Sequence, residues 1–253
     1  MKFAPVVLLL LAAAPAQAAP TEEIFGLYAR GAYEQAAQAG EASNDAPGLA
    51  IAARSVLAEE VLRDTPCLSC LERAESLARS AIAANPHFAF GYVWLAVALG
   101  YEARVVGTVR ARMKDLPTQS KAALDAAVAD DPKNPYAVSA LGGWHIEIVR
   151  GGGGTLARLL YGASENEALS SFDRAVKLAP GNVAVHYQIA LSLAGFDIDK
   201  YRARVAAELK TTISDMAETA YEKKVQGRAT DLLSLMNAPE AFQARLRQYQ
   251  GFP

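Results

Sequence analysis

The sequence is short of the residue types that build most catalytic and metal sites. It contains three histidines, and no two of them stand one helical turn apart, as paired ligands on a helix would. No Gly-x-Ser-x-Gly segment occurs, and no Ser, His and acidic residues form a local motif. The glycine run at 151–154 lacks the lysine that a phosphate-binding loop requires. These absences predict a binding protein, not an enzyme, with no catalytic residues, no metal ligands and no cofactor.

Cysteine is equally scarce, since Cys67 and Cys70 are the only two. In an oxidising compartment we expect this pair to form a local disulfide that holds the start of a helix. A zinc site would need two more ligands, and a c-type haem site would need histidine where Leu71 stands. A redox role has the right Cys-x-x-Cys spacing but lacks the surrounding βαβ pattern. It remains a less favoured alternative.

The sequence is nearly balanced in charge, with 25 basic against 27 acidic residues. This balance gives no general attraction to nucleic acid or to anionic lipid. Beyond the N-terminus, no stretch approaches the roughly 20 uninterrupted apolar residues of a membrane-spanning helix. We therefore expect no nucleic-acid partner and no integral membrane segment.

The N-terminus has the features of a cleavable secretory signal peptide. Lys2 precedes an unbroken apolar run at 6–11, and the segment ends in Ala16-Gln17-Ala18. Cleavage after Ala18 would leave a mature chain of 19–253. A leader of this kind is typical of bacteria and predicts export, to the periplasm of a Gram-negative cell or to the medium.

What the sequence does contain is a repeat. Three times a helical stretch ends in alanine, turns through proline and is followed by a new helix with a bulky residue before a small one. The prolines are Pro86, Pro132 and Pro180. Proline cannot continue the preceding helix but suits the start of the next. One helix hairpin cannot bury its apolar face alone, so several are expected to stack.

On these residues the chain resembles the tetratricopeptide repeat family. A half-repeat near the N-terminus supports this, with Gly31 ending a first helix, Tyr33 opening the second and Ala36 as its small packing residue. The prolines stand 46 and 48 residues apart, against about 34 in the standard repeat. The extra length lies between the two helices of each hairpin, where 107–112 parallels 154–159.

The resemblance implies an all-α, tetratricopeptide-like array of helix hairpins, an α-solenoid, with inserts between the helices of the central hairpins. It also implies a single domain over 19–253, whose C-terminal helices, at about 197–250, cap the array. The region from Trp144 to Pro180 is similar, more loosely, to the regulator of microtubule dynamics family. The periplasmic T component of TRAP-type transporters, also an expanded helical array, is another loose match. Neither brings catalytic residues.

Helical periodicity and the turn residues predict a series of helices. They are placed at 21–30, 33–43, 48–63, 68–84, 87–105, 118–130, 134–149, 164–178, 183–195, 199–224, 227–236 and 239–249.

Aromatic and ionic residues in the first helices of the hairpins are the candidate binding residues. They are Tyr92, Trp94, Glu102, Tyr136, Trp144, Glu147, Arg150 and Tyr187. In one interpretation they are core aromatics and Glu–Arg pairs along exposed faces, each pair adding only about 0.2–1 kcal/mol to stability. In the other interpretation these residues line a pocket between helices, the inserts cover that pocket, and a ligand binds in it.

Two binding functions remain open from the sequence. The leading one is a scaffold or adaptor in the cell envelope that holds a protein or peptide partner in a concave groove. The alternative is a small-ligand-binding accessory of a transporter, of the TRAP-associated type.

Overall fold

The computed structural model describes residues 20–63 and 65–252, and the predicted signal peptide lies outside them. This part of the chain contains thirteen α-helices and no β-strand, which confirms the predicted all-α fold. The helices are α1 (Thr21–Ala29), α2 (Tyr33–Ser43), α3 (Ala46–Val61), α4 (Leu68–Ala84), α5 (Ala89–Val106), α6 (Thr108–Met113), α7 (Leu116–Asp130), α8 (Pro135–Gly152), α9 (Gly154–Tyr161), α10 (Glu165–Leu178), α11 (Val183–Ser214), α12 (Ala220–Leu235) and α13 (Pro239–Tyr249).

The long helices pair as stacked hairpins, α1 with α2, α3 with α4, α5 with α7, and α8 with α10. A fifth hairpin is formed by α11 alone, because non-helical backbone at Asp197 divides it into two parts. The parts pack together, with His186 Nδ1 lying 2.5 Å from Glu208 Oε2. The first helix of each hairpin faces one side of the array, and this side carries the site described below.

The proline turns repeat as the sequence predicts. Each joins two hairpins and is closed by a backbone hydrogen bond across four residues, with proline in the second position, where its fixed φ favours a turn. The N–H···O bonds join Phe88 to Asn85, Asn134 to Asp131 and Asn182 to Ala179, at 3.1, 3.1 and 3.2 Å.

Small residues let neighbouring helices approach closely. Gly142 of α8 lies against the fully buried ring of Phe172 on α10, and a Cβ at this glycine would stand 2.6 Å from two ring carbons. Gly40 of α2 similarly lies against α3, where a Cβ would stand 2.3 Å from the carbonyl oxygen of Gly48. Helices therefore pack, within the α8–α10 hairpin and between α2 and α3, at distances that only glycine permits at these positions.

The predicted inserts are short helices, α6 and α9, here called the lid helices. Each follows a glycine with positive φ, Gly107 at 80° and Gly153 at 74°. Four residues further on, a buried alanine, Ala111 or Ala157, donates its N–H to that glycine's carbonyl at 3.0 Å. Equivalent residues are therefore 46 apart. The sequence match was one residue out of register because the glycine run at 151–154 allows alternative alignments.

The predicted helix at 199–224 is wrong, because α11 ends at Ser214 and α12 begins only at Ala220. Thr219 caps α12: its hydroxyl accepts the N–H of Glu222 at 3.2 Å, and the carboxylate of Glu222 accepts the N–H of Thr219 at 2.9 Å. This capping box is legible in the sequence as Thr-x-x-Glu. The helical periodicity on both sides of it conceals the interruption.

The C-terminal helices lie against the first helices of the hairpins. Arg228 on α12 donates hydrogen bonds to the carbonyl oxygens of Val61 and Leu62, both at 2.8 Å, where α3 ends. Gln250, which follows α13, donates to the carbonyl oxygen of Leu191 at 2.8 Å. Its own carbonyl oxygen accepts from Arg104 at 3.0 Å. The segment expected to cap the array thus reaches from its last hairpin back to its second.

Helix α5 is long and apolar enough to cross a membrane by length and composition. Half of it is buried, and it packs between α4, α7 and α8. Its apolar character is therefore that of a core helix in the array.

The two cysteines form the disulfide that the sequence predicts, with their Cα atoms 5.2 Å apart. Cys67 also caps α4, since its Sγ accepts the N–H of Cys70 at 3.2 Å. The N–H of Cys67 donates to the carboxylate of Glu60 at 2.7 Å. Glu60 and both sulfur atoms lie within 4.8 Å of one another, but bonded sulfurs offer no thiolate to a metal ion. The bridge holds the turn between α3 and α4.

Glu102 is a carboxyl group buried between α5 and α4. It is 1% exposed, and its Oε1 has no hydrogen-bond partner among the described residues. Burial, together with the negative charge of Glu75, raises the pKa of Glu102 to about 7, with Lys114 opposing the shift. The folded protein therefore accommodates the uncharged carboxyl group better than the carboxylate.

We expect Gly142→Ala to destabilise the protein, because the added methyl group would displace the Phe172 ring. The loss should be about 1–3 kcal/mol of unfolding free energy, measured by chemical denaturation. The matched control is Gly143→Ala in the same helix, where the nearest atom to an added Cβ is the Ser192 hydroxyl oxygen at 3.6 Å. That variant should be neutral or more stable, since alanine favours helix. Equal effects at both positions would contradict the packing described here.

We expect Glu102→Gln to remove a pH-dependent loss of stability. Because the folded-state pKa is raised, the wild type should lose stability as the pH rises from about 5 to about 8, by on the order of 2 kcal/mol from this group. The variant should melt at a higher temperature than the wild type at the higher pH and show little difference at the lower one. Asp199→Asn, which removes an exposed carboxylate from α11, is the control. An unchanged pH dependence in Glu102→Gln would refute the assignment.

Candidate functional site

A cavity of about 690 Å³ lies on the side of the array formed by the first helices. Its walls come from the first helix of every hairpin, α1, α3, α5, α8 and α11, and from the start of α7, the second helix of the third hairpin. Both lid helices line it, and Tyr221, Arg247 and Phe252 add side chains from the C-terminal segment. Most of the lining is apolar, which suits a ligand with a hydrophobic body.

Arg54 places a positive charge in this lining. It projects from the largely apolar helix α3, and its guanidinium carbon lies 4.3 to 5.7 Å from the centres of four aromatic rings. Those rings belong to Phe25, Tyr28, Trp94 and Tyr136, and we call them the Arg54 cage. Cation–π contacts of this kind hold a guanidinium in place without neutralising it.

No carboxylate lies within ion-pair distance of Arg54 among the described residues, and Tyr28 is its one hydrogen-bonding side chain there. The negative charge of Glu222 acts on Arg54 only from a distance, because this carboxylate accepts the backbone N–H groups of Glu218 and Thr219. A guanidinium carries five N–H donors around its edge and stays charged at any physiological pH. Aromatic rings contact its faces and leave donors at the edge unpaired. Arg54 can therefore offer two parallel N–H groups to a carboxylate or phosphate.

A second charged group, here called the Glu147 cluster, lies between α5 and α8. The carboxylate of Glu147 accepts from Arg104 at 3.0 Å and from Arg150 at 2.5 Å. Burial alone would raise the pKa of Glu147, but the two guanidinium groups outweigh it and hold this pKa below its usual range. The ring of Phe252 lies 5.5 Å from the guanidinium carbon of Arg104 and 4.6 Å from that of Arg150. The cluster has two positive charges for one negative charge.

Trp144 forms the wall beneath the second lid helix. Its indole N–H donates to the carbonyl oxygen of Pro117 at 2.9 Å, so the ring is fixed in orientation. Tyr161, at the end of α9, meets this ring edge-on with centres 6.4 Å apart. The indole therefore presents an apolar face whose polar atom is already satisfied.

The cavity as a whole is strongly cationic. Its lining includes five arginines, one glutamate and no other charged residue, in a chain whose net charge is −2. Such an excess inside a low-dielectric enclosure favours an anion over a neutral or cationic ligand.

The structure brings together five of the eight candidate binding residues in this lining, namely Trp94, Tyr136, Trp144, Glu147 and Arg150. The other three lie outside it. Tyr92 donates its hydroxyl group to the carbonyl oxygen of Pro86 at 3.0 Å. Tyr187 is fully buried in the core, and Glu102 lies against α4.

Sequence reasoning misses Arg54 and Phe252. A lone arginine in the middle of an apolar helix is the signal that could have identified Arg54 as a residue with a special environment. Nothing in the sequence indicates that Phe252 returns to α5 and α8, because that contact depends on the path of the whole C-terminal segment.

The comparisons with known proteins agree with this architecture. A search of curated proteins found no matching sequence. Among solved structures, the chain is similar to TTC0263, a thermophilic TPR protein of Thermus thermophilus, with a TM-score of 0.57 and 19% sequence identity. The match covers 83% of this chain and 95% of that one. At this identity the likeness shows the fold alone, and it confirms the tetratricopeptide resemblance.

A family model described as Regulator of microtubule dynamics protein 1-3 matches residues 48–237. The match extends from the second hairpin to the end of α12, well beyond the region on which the sequence resemblance rested. Since it spans most of the sequence, the chain belongs to the regulator of microtubule dynamics protein 1-3 family.

Proposed function

We propose that this protein is an exported binding protein whose cavity holds a small amphipathic anion. The observation that carries the proposal is the caged guanidinium of Arg54, which has no ion-pair partner among the described residues, in a mostly apolar enclosure whose charged residues are mainly arginines. The ligand would place a carboxylate or phosphate group at Arg54. Its apolar body would lie along the lining towards Trp144.

The volume of the enclosure supports a small molecule. At about 690 Å³ it falls within the range of roughly 300–1,000 Å³ typical of small-ligand sites. The arginines are held in place before any ligand arrives, Arg54 by its cage and Arg104 by Glu147 and the Gln250 carbonyl group. A preorganised site loses less entropy on binding than a flexible one.

An extended peptide fits this site less well. Tetratricopeptide-like arrays generally serve as interaction scaffolds and offer a long concave surface. Here α12 and α13 cross that surface, and the contacts of Arg228 and Gln250 hold them there. The geometry therefore favours the small-ligand function over the peptide scaffold.

The proposed location outside the cytoplasm rests on two features. Residues 1–18 have the pattern of a signal peptide. The disulfide between Cys67 and Cys70 is of a kind that persists in oxidising compartments. Delivery of the ligand to a membrane transporter is a role that a periplasmic binding protein could serve.

The test uses laurate and its methyl ester, two probes with the same apolar chain that differ in charge. We expect laurate to bind more tightly, and Arg54→Gln to weaken laurate binding by about 10- to 100-fold, the range for a lost hydrogen bond to a charged group. Binding of the ester should change little. Isothermal titration calorimetry gives both affinities, and circular dichroism checks that helicity is preserved.

Two further variants make this test specific. Arg54→Lys keeps the charge and should retain part of the laurate affinity, although lysine cannot form the paired contact. Arg30→Gln removes an exposed arginine that does not line the cavity and should behave as wild type. Equal binding of laurate and its ester, or laurate binding that is unaffected by Arg54→Gln, would disprove the proposal.

A further inference from the structure

The lid helices expose large apolar side chains to solvent. Five of the seven exposed large apolar residues of the described chain lie on them. Three of the five, Val109, Met113 and Leu159, are 73%, 82% and 77% exposed and do not line the cavity. Met113 and Leu159 are 46 residues apart and so occupy equivalent positions in α6 and α9. Exposed apolar residues concentrated on two short helices that line the same cavity are typical of an interaction surface.

The charged residues of the lid helices and of their nearest flanking residues are all basic. Residues 103–114 and 148–164 contain six basic residues and no acidic one, in a chain with a net charge of −2. Three of the six are paired with glutamates, namely Arg104, Lys114 and Arg150. The other three, Arg110, Arg112 and Arg158, are exposed and have no ion pair among the described residues. The lid helices themselves therefore carry three positive charges without an ion pair among the described residues, and exposed Asp115 is the nearest acidic residue after α6.

We propose that the lid helices dock on the surface of an anionic lipid bilayer. Exposed leucine, methionine and valine would enter the boundary between headgroups and acyl chains, while the neighbouring arginines contact lipid phosphates. This combination of apolar and basic residues is what holds interfacial helices at membranes. The docking face is distinct from the Arg54 cage, and the inference does not depend on the identity of the cavity ligand.

Repulsion between like charges makes a second copy of the chain an unfavourable partner. Two lid surfaces brought face to face would place their unpaired arginines against each other, which is unfavourable. An acidic protein would have to match the shape of two separate short helices. A fluid bilayer imposes no such shape requirement, since lipids rearrange around each inserted side chain.

Docking in this orientation would bring the cavity to the membrane. Leu156 and Leu160 of α9 line the cavity and are also 45% and 60% exposed, so the rim of the cavity lies on the docking face. An amphipathic molecule could then pass between bilayer and cavity without crossing bulk water.

The experiment is vesicle sedimentation with the chain comprising residues 19–253, which contains every helix described. The predicted signal peptide is left out because its apolar run would bind vesicles by itself. Vesicles of phosphatidylcholine alone are compared with vesicles that also contain phosphatidylglycerol. We expect binding to the anionic vesicles only, and strong weakening in about 0.5 M salt, where charge attraction is screened.

Paired variants test the two parts of the surface. Met113→Asp with Leu159→Asp should reduce vesicle affinity at least about tenfold, since both side chains would lose their apolar insertion. Met216→Asp is the matched control, because Met216 is 80% exposed in the turn between α11 and α12, outside the lid helices, and it should bind as wild type. Arg110→Gln with Arg158→Gln should lower affinity by on the order of tenfold or more. Lys223→Gln with Lys224→Gln removes two charges elsewhere and should have little effect.

Three results would overturn the proposal. One is no binding to phosphatidylglycerol vesicles, and another is equal binding to neutral and anionic vesicles. The third is a lid variant that sediments with vesicles as well as the Met216→Asp control. Self-association that the lid variants abolish, in the absence of vesicle binding, would identify a protein contact instead. A failure of laurate binding would leave these results unaffected, so the two proposals are separable.

Discussion

Stacked helix hairpins leave one apolar side that must be kept from water. In this chain the first helices of five hairpins form that side, and the lid helices and the C-terminal segment cover it. The cover does not fill the space completely. The space left between the array and its cover is the cavity, and its apolar lining consists of side chains that this cover leaves unpacked. The candidate site therefore exists because the lid helices and the C-terminal segment bury the apolar side of the array incompletely.

A buried cation in such an enclosure requires interactions that compensate for its lost hydration. Desolvating a guanidinium costs several kcal/mol unless other groups compensate for the lost water. Glu147 compensates Arg104 and Arg150 through direct ion pairs, whereas Arg54 has aromatic rings as its direct contacts and the charge of Glu222 only at a distance. Cation–π contacts return about 2 kcal/mol or more in a desolvated setting. An anionic ligand would supply the missing compensation. This difference between the two charged groups makes Arg54, more than the Glu147 cluster, the centre of the proposed site.

The sequence predicts the elements of this structure better than their arrangement. Proline turns, small packing residues and the inserts are local features, and each is legible from a few neighbouring residues. The capping box at Thr219 is also local, yet the periodicity around it conceals the end of α11. The Arg54 cage draws its rings from α1, α5 and α8, and Phe252 reaches Arg104 across most of the chain. Such contacts depend on superhelical curvature and on the path of the C-terminal segment, which no short motif encodes.

The contact between Arg228 and the end of α3 has a consequence for how the protein unfolds. Open solenoids behave as one-dimensional chains of repeats, in which terminal units fray independently of the rest. Here residues 167 and 166 positions apart are joined by hydrogen bonds, and α12 also touches α1. Fraying of the first hairpins would expose the side of α12 that packs on them. The ends of the array are thereby coupled, so loss of structure at one end should propagate to the other and unfolding should be cooperative.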